Sequence, residues 1–239
     1  MTMVSLALHA RDVPILTDAA TESDLAYGHL ADCDPIMRLL VGEFGHPDPF
    51  GKCEEAGMGD HFAALVRYAS SLPPQVSSTS TLYVRIRRAT QGFPSAVKVA
   101  ALGAGRLAAL GLPYEEADRL VRLARAQLDC RVDLNTLSGR NDRQVRALLA
   151  DYGISQRVAE LFLIRRLNRP DVLPVDDRVI AEVIGHTWLR SSAPGAGLVN
   201  HLGLRWAPFR TYAAALLWTL SRAEARTRDL IVQRGRGVL

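Results

Sequence analysis

A Gly-x-Ser turn separates two amphipathic patterns in the segment Leu148-Leu149-Ala150-Asp151-Tyr152-Gly153-Ile154-Ser155-Gln156-Arg157-Val158-Ala159. Glycine at position 153 permits a backbone conformation that other residues resist, and Ser155 is a favourable residue just before a helix. Ile154 can pack between the two helices. The apolar residues of the second helix share one face, namely Val158, Leu161, Phe162 and Leu167. These features predict a helical hairpin over about residues 142–168 that aims the start of its second helix outward.

The turn of this hairpin is suited to bind an anion. N–H groups exposed at the start of a helix, together with the helix dipole, favour a phosphate oxygen. Gly153, Ile154, Ser155 and the nearby Arg157 could therefore hold a DNA backbone without reading its bases. A glycine before a helix is also common in ordinary helix connections, and these residues alone leave both interpretations open.

Helical spacing dominates the rest of the chain, and alternation typical of strands is nearly absent. Helices are expected from Asp34, over residues 62–68, from about 82 to 87, from 95 to the glycines at 103 and 105, and over 115–128 and 142–149. Two adjacent prolines place residues 71–77 in a loop. Residues 190–203 form the most loop-like stretch, and Pro208 is expected in the first turn of one long last helix with a basic tail. The sequence predicts an all-α fold.

Composition narrows the class of protein only mildly. The chain has 239 residues, 48% of them hydrophobic, which is enough to bury a core, and its net charge of +4 gives a weak preference for an anionic partner. Cys33, Cys53 and Cys130 are odd in number, lie far apart and form no Cys-x-x-Cys pair, so the sequence indicates neither a disulfide framework nor a zinc site. No segment approaches the roughly 20 apolar residues of a membrane span. We expect a cytoplasmic protein that has no membrane partner and, in a bacterium, associates with the nucleoid.

Two further segments follow the hairpin in a fixed order. The first is Val172-Leu173-Pro174-Val175-Asp176-Asp177-Arg178-Val179-Ile180, and the second is Trp206-Ala207-Pro208-Phe209-Arg210-Thr211-Tyr212-Ala213. In order and spacing, the three segments resemble the helix-hairpin-helix DNA glycosylases, in particular the 3-methyladenine branch that removes alkylated bases. The resemblance covers about residues 140–220, with a weaker match back to Asp34. It implies two helical lobes with a cleft between them, one formed by about residues 1–55 plus 190–239 and a central one by about 60–185.

By this resemblance the catalytic aspartate is Asp177, and Asp176 is expected to cap the helix. A carboxylate at a helix start is stabilised in its charged form by the dipole and backbone donors, and such a charge can stabilise an oxocarbenium ion forming on the sugar. The alternative is that both aspartates merely cap the helix.

The resemblance also assigns a pocket and excludes one reaction. Trp218 matches the tryptophan of the family's base pocket, with Tyr212 and Leu161 as further candidates, although all three could be ordinary core residues. Leu161 stands where some relatives carry a tyrosine. Arg157 occupies the position of the lysine that gives some relatives a strand-cleaving activity, and arginine cannot act as that nucleophile, so no lyase activity is expected.

A flipped base leaves a gap that such enzymes fill with a wedge side chain. The nearest match to the family's wedge loop is Pro74-Gln75-Val76-Ser77, which makes Gln75 the candidate wedge and Ser77 a candidate DNA contact. A simple proline-rich connector is the alternative. Pro74 and Ser155 depart from the family pattern, which leaves the substrate and the strength of DNA binding open.

We therefore expect a monomeric, monofunctional glycosylase that excises alkylated purines from duplex DNA during base excision repair. A non-catalytic DNA-binding protein with the same hairpin, a glycosylase for another damaged base and an unrelated all-α enzyme are the alternatives. No metal or other cofactor is expected, because the cluster of four cysteines that holds iron and sulfur in some relatives is missing from the sequence. A monovalent cation at the hairpin turn is the one ion that the resemblance allows.

Overall fold

The computed structural model describes residues 21–51, 59–71, 79–189 and 191–237. These parts of the chain are helical and contain no strand, which confirms the all-α prediction. The helices are α1 (Glu22–Cys33), α2 (Pro35–Phe44), α3 (His61–Ala69), α4 (Thr79–Ala89), α5 (Ala96–Ala109), α6 (Tyr114–Leu128), α7 (Asp142–Asp151), α8 (Gln156–Leu161), α9 (Arg178–Ile184), α10 (Ala196–Gly203), α11 (Arg210–Arg222) and α12 (Ala225–Arg236). Wider π-helical turns at Phe162–Arg166 and Gly185–Leu189 extend α8 and α9, and 3₁₀ turns lie at Leu134–Gly139 and Leu204–Trp206.

The predicted hairpin is formed by α7 and α8. Gly153 has φ +75°, a left-handed conformation in which a side chain is unfavourable. Its N–H donates to the carbonyl of Ala150 at 2.8 Å, and the N–H of Ile154 donates to the carbonyl of Leu149 at 3.0 Å, which satisfies the last carbonyl groups of α7. Ser155 then caps α8 by accepting from the N–H of Val158. Helix termination and initiation therefore follow each other within four residues.

Helix packing brings the hairpin and the end of the chain to a common region. α2 packs against α1, α11 and α12, while α3 packs against α6 and α8. α9 lies against α11, and this contact sets the position of the predicted site. The division into two lobes stays a prediction.

Asp34 joins three distant segments at one buried carboxylate. Its Oδ1 accepts from the backbone N–H groups of Ile36 and Met37 and so begins α2, as predicted. Its Oδ2 accepts from the indole N–H of Trp188 at 3.0 Å and of Trp206 at 3.1 Å. The side chain is fully buried, and these four donors compensate for the loss of its hydration.

Three expectations about the C-terminal part of the chain are wrong. Residues 190–203 were expected to form a loop, but they include α10, which buries an apolar face through Val199 and Leu202. At the end of this helix, Gly203 lies so close to Leu173 that a Cβ atom at position 203 would collide with the leucine side chain. The last helix is two helices, since the backbone is extended at Ala223. Pro208 precedes α11 and follows a cis peptide bond.

The first helix, α1, was not predicted at all, although Thr21 and Asp24 form a capping box at its start.

Candidate active site

Asp177 begins α9 with its own side chain. Its Oδ1 accepts from the backbone N–H groups of Val179 at 2.8 Å and Ile180 at 3.2 Å, and the residue is only 4% exposed. The assignment of the cap to Asp176 is therefore wrong: Asp176 is exposed, and the helix starts one residue later than the sequence interpretation assumed. Capping orients Asp177 and leaves its second oxygen for other contacts.

That second oxygen, Oδ2, faces two side chains from other helices. The indole Nε1 of Trp218 on α11 lies 3.4 Å from it, and the guanidinium Nη2 of Arg157 on α8 also lies 3.4 Å from it. The side chain of Arg157 is 40% exposed, whereas that of Asp177 is 5% exposed, so the arginine lies on the solvent side of the carboxylate. The predicted catalytic residue, pocket tryptophan and hairpin arginine thus meet at one atom.

A polar clamp holds the segment before Asp177 against the start of α11. Arg210 donates from Nε and Nη2 to the two carboxylate oxygens of Asp171 at 2.7 and 2.8 Å. Burial would raise the pKa of Asp171, but the hydrogen bonds and charge of Arg210 outweigh it and lower the pKa. Thr211 adds bonds to the backbone of Arg169 and Val172. The clamp fixes the distance between α9 and α11, on which the contact of Asp177 with Trp218 depends.

Arg165 lies near the ring of Trp218. Its guanidinium carbon lies 5.8 Å from the centre of the indole ring, which is a cation–π arrangement. Arg157, Leu161 and Arg165 are spaced by four residues and so follow one side of α8 and its π-helical extension. Leu161 is half-buried and packs against the core. Sequence reasoning missed Arg165, although the spacing from Arg157 was a usable signal.

Two curated proteins are similar in sequence to this chain. The DNA-3-methyladenine glycosylase 2 of Escherichia coli (strain K12) is 29% identical over 126 residues, which are 53% of this chain and 42% of that protein. The DNA-3-methyladenine glycosylase 1 of Schizosaccharomyces pombe is 24% identical over 223 residues, which are 92% of this chain and 96% of that protein. The match thus spans less than half of the E. coli protein and nearly all of the S. pombe protein. No protein-family model matches the chain.

A solved structure of the S. pombe 3-methyladenine DNA glycosylase, in complex with abasic DNA, superimposes with a TM-score of 0.73 at 23% identity. The match covers 83% of this chain and 97% of that one. The fold is that of the helix-hairpin-helix DNA glycosylases. The resemblance inferred from the sequence is thereby confirmed. At this level of identity the likeness establishes the glycosylase fold, and the roles of single residues depend on the geometry of this chain.

A buried glutamate lies close enough to Asp177 to interact with its charge. Glu160 on α8 is 2% exposed, and its Oε1 accepts from the side-chain amide of Gln156 at 3.0 Å. Burial raises the pKa of Glu160 to about 7, although Gln156 and Arg146 favour its charged form; the charges of Asp176 and Asp177 raise it further. Its Oε2 is buried and has no hydrogen-bond partner among the described residues. Sequence reasoning did not identify Glu160.

Tyr212 lies apart from the other pocket candidates. Its ring packs edge-on against Tyr27 at 5.4 Å and Phe50 at 5.6 Å between ring centres. Burial, with the charge of Glu22, raises its pKa to about 12. Across the described ranges neither a hydrogen bond nor a contact between aromatic rings joins Tyr212 to Asp177 or Trp218. A role for Tyr212 in the base pocket stays a prediction.

The candidate DNA-binding residues differ in whether their side chains are exposed and in whether the structure describes them. Ile154 is buried at 4% exposure and holds the turn together, and its backbone N–H already donates to the carbonyl of Leu149. Gln75 and Ser77 lie outside the described residues, and their DNA-binding roles stay predictions. Within the parts of the chain that the structure describes, no three His, Cys, Asp or Glu side chains cluster as metal ligands would. Nor does any helix there have the length and apolar character needed to cross a bilayer.

Proposed function

We propose that this chain is a monofunctional DNA glycosylase that hydrolyses the N-glycosidic bond of alkylated purines in duplex DNA, as a step of base excision repair. The observation that carries the proposal is the contact between the buried carboxylate of Asp177 and the indole N–H of Trp218. Both curated relatives are named DNA-3-methyladenine glycosylases, and the similar solved structure is a complex with abasic DNA.

The chemistry follows from what a carboxylate and an aromatic ring do for a flipped nucleotide. The damaged purine stacks on Trp218, which is worth roughly 1–3 kcal/mol for a base on an aromatic side chain. As the bond between C1′ and the purine nitrogen breaks, its electron pair leaves with the base and positive charge develops on the sugar. Asp177 stabilises that charge and accepts a proton from the water whose oxygen bonds to C1′. The products are free base and an abasic site.

The side chain at the hairpin position explains why strand cleavage is not proposed. A lyase of this kind needs an amine that attacks C1′ as a neutral nucleophile. The group next to Asp177 is instead the guanidinium of Arg157, which stays protonated and cannot form a Schiff base. The proposed reaction ends at the abasic site and uses no cofactor.

DNA is held, in this proposal, by the backbone of the hairpin turn. The N–H groups at the start of α8, beginning with that of Ser155, can contact a phosphate oxygen on the strand that carries the flipped base. We propose that one copy of the chain acts alone on bent duplex DNA. Affinity for DNA should then fall steeply with added salt, because bound phosphates release counterions; weak, salt-insensitive binding would instead favour an unrelated enzyme.

The adjacent pair of aspartates supplies a matched test. Duplex DNA treated with a methylating agent is incubated with the wild type, Asp177→Asn and Asp176→Asn, and released bases are quantified by chromatography. Wild type and Asp176→Asn should release methylated purines, while Asp177→Asn should be slower by on the order of 100-fold or more. Equal release by Asp177→Asn would contradict the assigned role. Salt-sensitive DNA binding without release by any form would favour the non-catalytic DNA-binding alternative.

A further inference from the structure

The carboxylate of Asp177 has one oxygen that remains for a substrate. Its Oδ1 accepts from the backbone N–H groups of Val179 and Ile180, which leaves Oδ2 for the sugar of a flipped nucleotide. The Asp177 side chain is only 5% exposed, and the guanidinium of Arg157 lies on its solvent side, with Nη2 at 3.4 Å from Oδ2. The arginine therefore covers the side of Asp177 from which a sugar has to approach.

The charge of Arg157 opposes the proposed reaction as well as the approach. A guanidinium 3.4 Å from a carboxylate cancels much of the field with which that carboxylate stabilises an oxocarbenium ion. It also repels the positive charge that develops on the sugar as the base leaves. Hydrolysis at Asp177 thus requires Arg157 to move away from Oδ2 first.

The contact between Arg157 and Asp177 is weak enough to be exchanged for another. In the clamp before α11, by comparison, Arg210 donates through two nitrogens to both oxygens of Asp171, at 2.7 and 2.8 Å. Nη2 of Arg157 lies at the longer distance of 3.4 Å from Asp177, and 40% of the arginine side chain is exposed. A phosphate offers a guanidinium two short, charge-assisted hydrogen bonds, so it can compete with Asp177 for Arg157.

The position of Arg157 identifies this competitor as a phosphate of bound DNA. Arg157 follows Ser155 of the hairpin turn by two residues, and in the proposed function this turn holds the backbone of the strand that carries the flipped base. Bound DNA therefore places phosphates within reach of an arginine that is already partly exposed. A damaged nucleoside brings no such phosphate.

We propose that Arg157 makes base release conditional on DNA, because it pairs with Asp177 in the free protein and moves to a phosphate of the bound strand. The move leaves Asp177 charged and accessible to the sugar. Arg157 is then a specificity-determining residue, which keeps Asp177 inactive toward damaged nucleosides that lack the neighbouring phosphate. The inference rests on the proposed function.

The test is a scan with uncharged phosphates. Duplexes carry one 7-methylguanine, and a methylphosphonate replaces, one at a time, each phosphate near the lesion on the same strand. Single-turnover rate constants are measured at saturating enzyme, so that a loss of affinity does not affect them, and are corrected for spontaneous base loss. At one position the wild type should be slowed by about tenfold, because no charge draws Arg157 from Asp177. Arg157→Met has no guanidinium to remove and should be slowed there by less than about twofold.

Arg143→Met is the matched control, since it removes a positive charge from an exposed position on α7 of the same hairpin; it should be slowed at that position as the wild type is. Equal slowing of the wild type and Arg157→Met at every position, or a wild type that no position slows, would overturn the inference. Loss of release in both Arg157→Met and Arg157→Gln, with the helical circular dichroism of the wild type, would also overturn it, because the arginine would then serve the reaction itself. Absence of release by the wild type from the unmodified duplex would instead contradict the proposed function.

Discussion

The indole Nε1 of Trp218 lies 3.4 Å from Oδ2 of Asp177, although 41 positions separate the two residues in the chain. The contact joins the start of α9 to the middle of α11, and the clamp between Asp171 and Arg210 fixes the approach of the two elements. Trp218 thereby offers an N–H group to the carboxylate, and in the proposed function its ring also stacks on the base. Substitutions can separate these two contributions.

Trp218→Phe keeps an aromatic ring and removes only the N–H donor. Because a hydrogen bond to a charged group contributes about 1.5–3 kcal/mol, the single-turnover rate constant should fall by roughly tenfold or more while half-saturation by DNA stays close to that of the wild type. Trp218→Ala also removes stacking and should in addition raise the DNA concentration needed for half-saturation. Wild-type kinetics in Trp218→Ala would show that the base does not stack there.

Asp177 has a structural role and a proposed chemical one, and these predict different responses to substitution. Ser and Asn can both cap a helix, so Asp177→Ser and Asp177→Asn should change the free energy of unfolding by less than about 1 kcal/mol, and Asp177→Ala should cost about 1 kcal/mol. All three should lose base release, because none carries the negative charge. Urea denaturation and the base-release assay measure the two effects separately; activity that followed stability across the series would indicate a cap alone.

The buried carboxylate of Asp34 predicts a large effect on stability far from the proposed chemistry. Asp34→Ala leaves the indole N–H groups of Trp188 and Trp206 and two backbone N–H groups without their acceptor, so unfolding should become easier by about 3 kcal/mol or more. Asp60→Ala is the control: Asp60 is exposed and caps α3 through the N–H of Ala63, which predicts a loss of only about 1 kcal/mol. Urea denaturation of both variants checks the difference, and equal losses would contradict the bridging role of Asp34.

Local sequence was sufficient for the parts of the fold that local chemistry determines. Gly153 needs a left-handed backbone, and Ser155 caps the next helix, so the hairpin could be predicted from a few residues. α10 could not be predicted in this way, because the glycines and serines before it are typical of a loop. Its stability comes from the burial of Val199 and Leu202. The break between α11 and α12 likewise lies in a segment with no proline or glycine.

The site was predictable only where a motif identified it. Asp177 and Trp218 came from the resemblance, while the cap was assigned one residue early because two adjacent aspartates are equivalent in sequence. Glu160 and Arg165 carry no motif, and their importance depends on which helices pack against α8. Such contacts between distant segments are fixed by tertiary packing, which a single sequence does not display.

Glu160 predicts a pH-dependent stability with a definite sign. Its pKa in the folded protein is raised from the ordinary 4.5 to about 7, so the folded state holds the proton more tightly than the unfolded chain does. The contribution of Glu160 to the free energy of unfolding is therefore fully present below pH 4.5 and is lost as the pH rises through 7. Asp176, Asp177 and Arg146 are the charged groups that act on it, and burial is the main cause.

Glu160→Gln cannot ionise and should escape this loss. Relative to the variant, the wild type should lose about 3 kcal/mol of unfolding free energy between pH 4.5 and 8, with most of the change between 4.5 and 7. Urea denaturation at a series of pH values measures it, and Glu43→Gln, at an exposed position on α2, should run parallel to the wild type. A constant difference between wild type and Glu160→Gln across this range would mean that Glu160 is already charged at pH 5 in the folded protein, and that its neighbours compensate for its burial.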